Sequence, residues 1–201
     1  MAKKAAASKK TSLTASSPKP EDTKPEEVVA IPPRDTFNKN LSSASEQTML
    51  QIFGAPGEKT QDCSPVTGNV KKRIVTRVDV GPFKVSGLDI AVSALKAALD
   101  EAEEQIPNVV ATLKTAGMLC VRHKRNNPIS FSNHSWGTAI DLFYGEDVIP
   151  QGSTKTYRGI LQLAPFFNKH GWFWGAGFSG NSVDGMHFEL SEQTIRGQAT
   201  T

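Results

Sequence analysis

Long apolar runs are absent from this sequence of 201 residues. No stretch reaches the roughly 18 consecutive apolar residues that would suggest a transmembrane helix. The first residues include lysines but no continuous apolar segment, so we expect no secretory signal peptide. Cysteine is also scarce: there are two, Cys63 and Cys120, and their spacing leaves open whether they pair. The sequence therefore predicts a protein without a membrane span and leaves its redox compartment undecided.

Residues 35–201 have no net charge of either sign. The sequence has 23 Lys and Arg residues and 20 Asp and Glu residues, for a formal net charge of +3. Residues 1–34 contain seven of the basic and four of the acidic residues, so the remaining 167 residues carry 16 of each. A nucleic-acid-binding domain typically has a basic surface. The neutral remainder therefore argues against a nucleic-acid partner.

Large apolar residues are few over residues 1–40, which are rich in Lys, Ala, Ser, Thr, Pro and Glu. Such a segment buries too little apolar surface to offset the entropy of ordering. The sequence therefore predicts a disordered arm over residues 1–40 and a folded domain over residues 41–201. The arm either contacts an anionic polymer or, as we favour, only keeps the protein soluble. On this basis, deletion of residues 1–34 should leave the thermal midpoint almost unchanged.

Helical and strand-like patterns alternate along the rest of the chain. A short helix ends at Gly54, a long amphipathic helix covers 88–106, and another helix covers 157–171. Pro107 restarts the long helix, which we expect to continue to Gly117. This order predicts an α+β fold, with a small, mostly antiparallel sheet and helices packed on one face. The predicted strands are 73–80, 83–87, 118–122, 137–143, 171–178 and 186–190.

The alternation of side chains along a strand indicates where its polar residues face. In the segment MHFEL, three apolar residues alternate with His187 and Glu189, which therefore share the face opposite the core. In GTAIDLF, Asp141 lies opposite the larger apolar residues. The segment MLCVR would end a strand at Arg122. If these strands are neighbours, Asp141, His187 and Arg122 lie on one surface.

A metal site would explain this set of polar residues. A catalytic zinc typically takes three protein ligands and keeps one position open. His134, Asp141 and His187 offer two imidazoles and one carboxylate. Asp184 and Glu189 are both candidates for a carboxylate that accepts a proton, and Glu189 is also a candidate for orienting a ligand histidine. From these residues alone, a hydrogen-bonded polar pair without a metal is the more common arrangement.

Two motifs resemble those of a known family. Residues 132–141, SNHSWGTAID, fit the pattern S-x-H-x-x-G-x-A-x-D, and WFWG at 172–175 and DGMHFE at 184–189 follow. The combination resembles the signature of the M15 zinc peptidases. That family includes D-alanyl-D-alanine carboxypeptidases and dipeptidases, and L-alanyl-D-glutamate endopeptidases found as phage endolysins. The resemblance covers about residues 85–192.

The resemblance implies a role for each matching residue. His134, Asp141 and His187 correspond to the ligands of a single zinc ion. Asp184 corresponds to the general base, which decides against Glu189 for that role.

Other positions correspond to the family less closely. Arg122 resembles the arginine that holds the substrate and the developing oxyanion, and Lys124 and Arg125 are nearby alternatives on a stretch that reads as a loop. Ser132 resembles a hydroxyl beside the ligands or the substrate. Trp136, like the other two tryptophans, is either a core residue or part of the cleft lining.

The resemblance implies a zinc peptidase that hydrolyses peptidoglycan stem peptides, after export or cell lysis. We favour cleavage between L-Ala and D-Glu. The second motif is closer to the endopeptidase branch, and no cation besides Arg122 is expected on a fixed element to hold a terminal carboxylate. A D-Ala-D-Ala carboxypeptidase is the alternative. A non-catalytic cell-wall-binding module on the same fold is a third interpretation, which the complete set of ligands and base disfavours.

Overall fold

The computed structural model describes residues 24–198 as a mixed α/β structure. Its α-helices are α1 (Glu46–Phe53), α2 (Asp89–Gln105), α3 (Pro107–Val110), α4 (Arg158–Lys169) and α5 (Glu192–Gly197). Its strands are β1 (Val28–Ala30), β2 (Ile74–Asp79), β3 (Lys84–Leu88), β4 (Lys114–Gly117), β5 (His123–Lys124), β6 (Asn127–Phe131), β7 (Ala139–Phe143), β8 (Lys155–Tyr157), β9 (Trp172–Trp174) and β10 (His187–Leu190). Across this range, every helix is too short or too polar to cross a bilayer.

The central sheet has four strands in the order β4-β7-β10-β9, and each pair is antiparallel. Two-stranded sheets form from β2 and β3, from β5 and β6, and from β1 and β8. Helix α4 packs on β9, and α2 packs on α4. The predicted α+β fold with small antiparallel sheets is therefore confirmed.

Aromatic side chains fill the space between the central sheet and α4. The ring of Phe188 on β10 lies 4.4 Å from that of Phe167 on α4 and stacks on Trp174 of β9 at 6.1 Å, measured between centroids. Because side chains alternate along β10, His187 and Glu189 must then face the opposite side of the sheet. The packing of this core thus decides which face of β10 carries the polar residues.

Three of the predicted elements differ from the structure. The strand predicted over 171–178 covers only Trp172–Trp174, and Gly175–Gly177 forms a 3-10 turn. The helix after Pro107 ends at Val110, and Lys114–Gly117 forms β4 at the edge of the central sheet. The apolar residues of this segment fit a helix, but β7 offers its backbone a partner over Lys114–Gly117, with an irregularity in the register. Residues 118–122 form no strand; Val121 makes only an isolated bridge to Ser64. Arg122 therefore does not end a strand.

The arm predicted over residues 1–40 also differs from the structure where it is described. Residues 1–23 lie outside the described range, but β1 pairs with β8 and Glu27 forms an ion pair with Arg158 at 2.7 Å. Oδ1 of Asn38 accepts hydrogen bonds from Nδ2 of Asn168 and from the N–H of Trp174, and Nδ2 of Asn38 donates to the carbonyl of Trp174. An exposed strand edge accepts a short extended segment whatever its average composition, which is why composition failed here.

Removal of residues 24–40 is therefore expected to destabilise the protein. A chain that begins at residue 41 should unfold several degrees below a chain that begins at residue 24, because it loses the β1–β8 ladder and the Asn38 hydrogen bonds. In a chain of this size, about 1 kcal/mol of lost stability lowers the thermal midpoint by roughly 2–4 °C. Calorimetry on the two truncated chains measures the difference, and equal midpoints would show that this segment contributes nothing.

Candidate metal centre

Three predicted ligands come together where β7 meets β10. Asp141 on β7 lies directly opposite His187 on β10 in the antiparallel register. His134 belongs to a short 3-10 turn, Asn133–Trp136, just before β7. One ligand atom from each of the three residues lies within 4.8 Å of the others, and this is the spacing of ligands around one metal ion.

Gly137 links the turn that contains His134 to β7, which contains Asp141, and so allows these two ligands to lie close together. Its φ of 64° is left-handed, and that conformation favours glycine. A Cβ at this position would lie 2.5 Å from the Cα of Gly87, so a larger residue would push the turn away from β3. Gly137 is thus required both by its backbone conformation and by its packing.

The ring of His134 is oriented by the backbone. Its Nδ1 lies 2.9 Å from the carbonyl oxygen of Met118 and donates to it, which leaves Nε2 as the nitrogen that can bind a metal. Its Nε2 is buried and lies 3.4 Å from Oδ1 of Asp141, but it has no hydrogen-bond partner among residues 24–198. Buried polar atoms normally have partners. A buried imidazole nitrogen that faces a carboxylate and a second histidine fits a metal ligand.

His187 lies between two carboxylates. Its Nδ1 is 2.9 Å from Oδ1 of Asp141, and its Nε2 is 3.0 Å from Oε2 of Glu189. Burial opposes a charge on the ring, yet hydrogen bonds to these carboxylates raise the pKa of His187 to about 10. Burial would likewise raise the pKa of Asp141, but the two histidines lower it well below its usual value. The site therefore favours a positive charge, either a proton or a metal ion.

Glu189 is buried on the same face of β10 as His187 and accepts a hydrogen bond from Ser43 Oγ at 2.6 Å. With Nδ1 turned to the metal position, Nε2–H of His187 can donate to this carboxylate. That arrangement is typical of the residues that orient ligand histidines. Nothing in the sequence pattern pointed to Ser43, which is 146 positions away from Glu189.

Asp184 lies in the loop before β10 and lines the same cleft as the three ligands. Its Oδ1 accepts a hydrogen bond from the backbone N–H of Met186 at 3.1 Å. Burial raises the pKa of Asp184, and the charge of Asp141 adds to this effect while His187 opposes it. Burial therefore disfavours the charged form of this carboxylate.

A cleft of about 480 Å³ opens beside these residues. One wall is the β5–β6 hairpin and the segment before it, and the other includes the loop 148–151. Nδ2 of Asn126 in the hairpin turn donates to Oε1 of Gln151 at 3.2 Å, so the two walls touch. The cationic residues of the lining are Arg122, Lys124 and Arg125.

The placement of these cations differs from the prediction. Arg122 lies in an irregular segment, where its backbone N–H donates to Ser135 Oγ at 3.1 Å, whereas Lys124 is part of β5. Burial and the neighbouring charge of Arg125 lower the pKa of Arg122, and Asp141 opposes this effect. Lys124 and Arg125 form no ion pair among the described residues. The expectation that Arg122 alone would be held by a strand is therefore wrong.

Of two other predicted site residues, Ser132 lies in the cleft and Trp136 does not. Ser132 is buried and lines the cleft beside the ligands. Trp136 is fully buried in the hydrophobic core, where its Nε1–H donates to the carbonyl of Gly54 at 2.8 Å. The tight turn directs His134 and Trp136 to different sides, which removes Trp136 from the cleft. Trp172 and Trp174 are core residues as well.

The motifs in this region can now be compared with known proteins. Residues 125–190, about a third of the chain, match the model of an M15 peptidase family described as D-alanyl-D-alanine carboxypeptidase. The M15 resemblance is confirmed. No curated protein and no solved structure matches the chain. The M15 match is narrower than the predicted 85–192: it includes the three candidate ligands and Asp184 and begins after Arg122.

Proposed function

We propose that this protein is a zinc-dependent peptidase that hydrolyses peptidoglycan stem peptides. The observation that carries the proposal is the buried Nε2 of His134, which lacks a hydrogen-bond partner in the described structure and faces Asp141 and His187. The M15 match supports a peptidase acting on peptidoglycan in general.

His134, Asp141 and His187 would hold the zinc ion. Zinc in such a site supplies a Lewis acid for the scissile carbonyl and lowers the pKa of water. Glu189, itself held by Ser43, keeps the ring of His187 turned towards Asp141. These hydrogen bonds keep the ligand ring in one orientation while the substrate enters and leaves.

Asp184 is the proposed general base. Its carboxylate takes a proton from the attacking water and returns it to the nitrogen of the leaving amine, so the peptide bond breaks without releasing a strongly basic amide anion. The raised pKa of Asp184 suits this exchange better than that of a fully exposed aspartate. The backbone hydrogen bond from Met186 holds the carboxylate in place.

Arg122 is proposed to stabilise the negative charge that develops on the carbonyl oxygen. It lies in the cleft lining with the ligands, and its guanidinium Nη1 is anchored to the carbonyl of His123 at 3.0 Å. A fixed cation in a partly buried cleft stabilises an oxyanion more than it would in water. Lys124 and Arg125 remain for a carboxylate elsewhere on the substrate.

For the bond that is cut, the first candidate is L-Ala–D-Glu, because the second sequence motif is closer to the endopeptidase branch. D-Glu also has a carboxylate that Lys124 or Arg125 of the cleft lining can bind. D-Ala-D-Ala carboxypeptidase activity is the second candidate. It is favoured by the description of the matching family and by Lys124 and Arg125, which provide cations for a terminal carboxylate. A purely binding role is disfavoured by the presence of the three ligands and Asp184 together.

Digestion of purified peptidoglycan separates these candidates. We expect cleavage between L-Ala and D-Glu, seen by mass spectrometry as new N-terminal D-Glu ends, with little free D-alanine from a pentapeptide substrate. Free D-alanine as the main product would establish the carboxypeptidase instead. No released peptide from a zinc-loaded protein would contradict the peptidase proposal and support the binding module.

The site of action is proposed to be the bacterial cell wall, reached after export or cell lysis. The substrate is extracellular, so the protein has to meet it outside the cytosol.

A further inference from the structure

One disulfide lies next to the candidate metal centre without being part of it. Cys63 and Cys120 are bonded, which answers the question that their spacing left open. Cys63 lies in the loop 54–68 and Cys120 in the segment 118–122, and neither stretch contains a helix or an extended strand. The bond joins two irregular segments that are otherwise held by buried side chains and individual hydrogen bonds, not by a continuous β-ladder.

The loop lies along the outer side of the segment. The N–H of Ser64 donates to the carbonyl of Val121 at 2.9 Å, and the N–H of His123 donates to the carbonyl of Thr60 at 2.9 Å. Ser64 Oγ also donates to the carbonyl of Val121 at 3.2 Å, so three hydrogen bonds and the disulfide join the loop to residues 120–123. The loop therefore supports a segment that the central sheet does not hold.

The inner side of the same segment contacts the site at three alternate residues. The carbonyl of Met118 accepts from His134 Nδ1 at 2.9 Å, and the N–H of Cys120 donates to the carbonyl of His134 at 3.0 Å. The N–H of Arg122 donates to Ser135 Oγ at 3.1 Å. Cys120 is thus midway between the residue that orients His134 and the arginine of the cleft.

We infer that Cys63 and Cys120 are positioning residues, whose disulfide holds the segment 118–122 so that His134 and Arg122 keep their places in the site. Opening the bond leaves the ligands and the hydrogen bonds of the segment in place, but it removes the covalent link that limits movement of the segment, which includes the carbonyl that orients His134. Loss of such a supporting contact typically lowers metal affinity or activity by about 10–100-fold. The inference rests on the proposed zinc site and adds a redox dependence to it.

The inference links activity to the environment of the protein. Disulfides persist in oxidising compartments and are rare where thiols are kept reduced. The protein would have a weakened site in a reducing cytosol and a complete one outside it, where the proposed substrate lies.

The test compares the wild type with a Cys63→Ser, Cys120→Ser double variant. We expect zinc affinity, measured by competition with a chromophoric chelator, to fall by about 10–100-fold, and kcat/KM to fall with it. Leu95→Ala on α2 is the matched control, because it removes a fully buried side chain away from the site and destabilises the fold to a similar degree. All measurements are made well below the lowest thermal midpoint. If the double variant loses stability but binds zinc as tightly as Leu95→Ala does, the disulfide is only structural and the inference is wrong.

Reduction of the wild type with a phosphine provides a reversible version of the test. The phosphine gives two electrons to the disulfide and becomes its oxide with the oxygen of one water molecule, whose two protons complete the thiols. Zinc affinity should fall on reduction and recover on reoxidation. The double variant should not respond, and an equal response from it would trace the effect to the reagent.

Amide hydrogen exchange separates this inference from the proposed function. In metal-free protein, exchange at the N–H groups of Cys120 and Arg122 should become about tenfold faster on reduction, while the core of α2 is unchanged. That result would support the positioning role even if the protein bound no zinc and cut no peptide. Unchanged exchange at both amides would refute it.

Discussion

A His134→Ala variant is expected to bind almost no zinc and to lose hydrolytic activity, whereas the wild type should carry about one zinc ion per chain. Three protein ligands are the usual minimum for a catalytic zinc, and His134 provides the one candidate nitrogen that lacks any hydrogen-bond partner in the described structure. Metal analysis after dialysis and peptide hydrolysis at saturating substrate measure the two effects. Chelation of the wild type should have the same consequence and should be reversed by added zinc.

His170→Ala is the matched control for this substitution. His170 caps the end of α4 and pairs with Glu101 at 2.8 Å, so the change removes the same side chain away from the candidate centre. It should leave metal content and turnover close to those of the wild type. An active preparation of unchelated wild-type protein without zinc would overturn the metal proposal, and so would a His134→Ala variant that keeps its metal.

The second large effect is expected from Asp184→Asn, which should lower kcat by about 10²–10⁴-fold, the usual contribution of a general acid–base group. The amide keeps the size of the side chain and its oxygen can still accept the hydrogen bond from Met186, but it cannot take a proton. Zinc content and the thermal midpoint should therefore stay near the wild-type values. Single-turnover kinetics with a stem-peptide substrate, together with metal analysis, provides the measurement.

Two other variants show whether the base is correctly assigned. Asp100→Asn changes an aspartate on α2 that pairs with Lys96 at the surface, and it should be nearly neutral. Glu189→Gln should instead reduce zinc affinity, because Glu189 contacts His187 and is proposed to orient it. If Glu189→Gln keeps its zinc but is inactive while Asp184→Asn turns over normally, the base has been assigned to the wrong carboxylate.

The sequence by itself determined the features that depend on neighbouring residues. Apolar spacing predicted α2, and the glycine after α1 predicted its end. The motif around His134 and Asp141 is also local, since a tight turn with Gly137 leads directly into β7. The M15 resemblance of this motif is confirmed by the family match. Alternation along β10 correctly separated His187 and Glu189 from the core residues.

Tertiary structure decided the features that depend on which distant segments meet. Composition could not show that β1 would find the open edge of β8, nor could local pattern show that residues 114–117 would extend the sheet along β7. The orientation of His134 depends on a carbonyl 16 positions away, and that of Glu189 depends on Ser43. The pairing of Cys63 with Cys120 spans 57 positions. Such contacts leave no periodic signal in the sequence, because folding brings together segments whose separation along the chain is arbitrary.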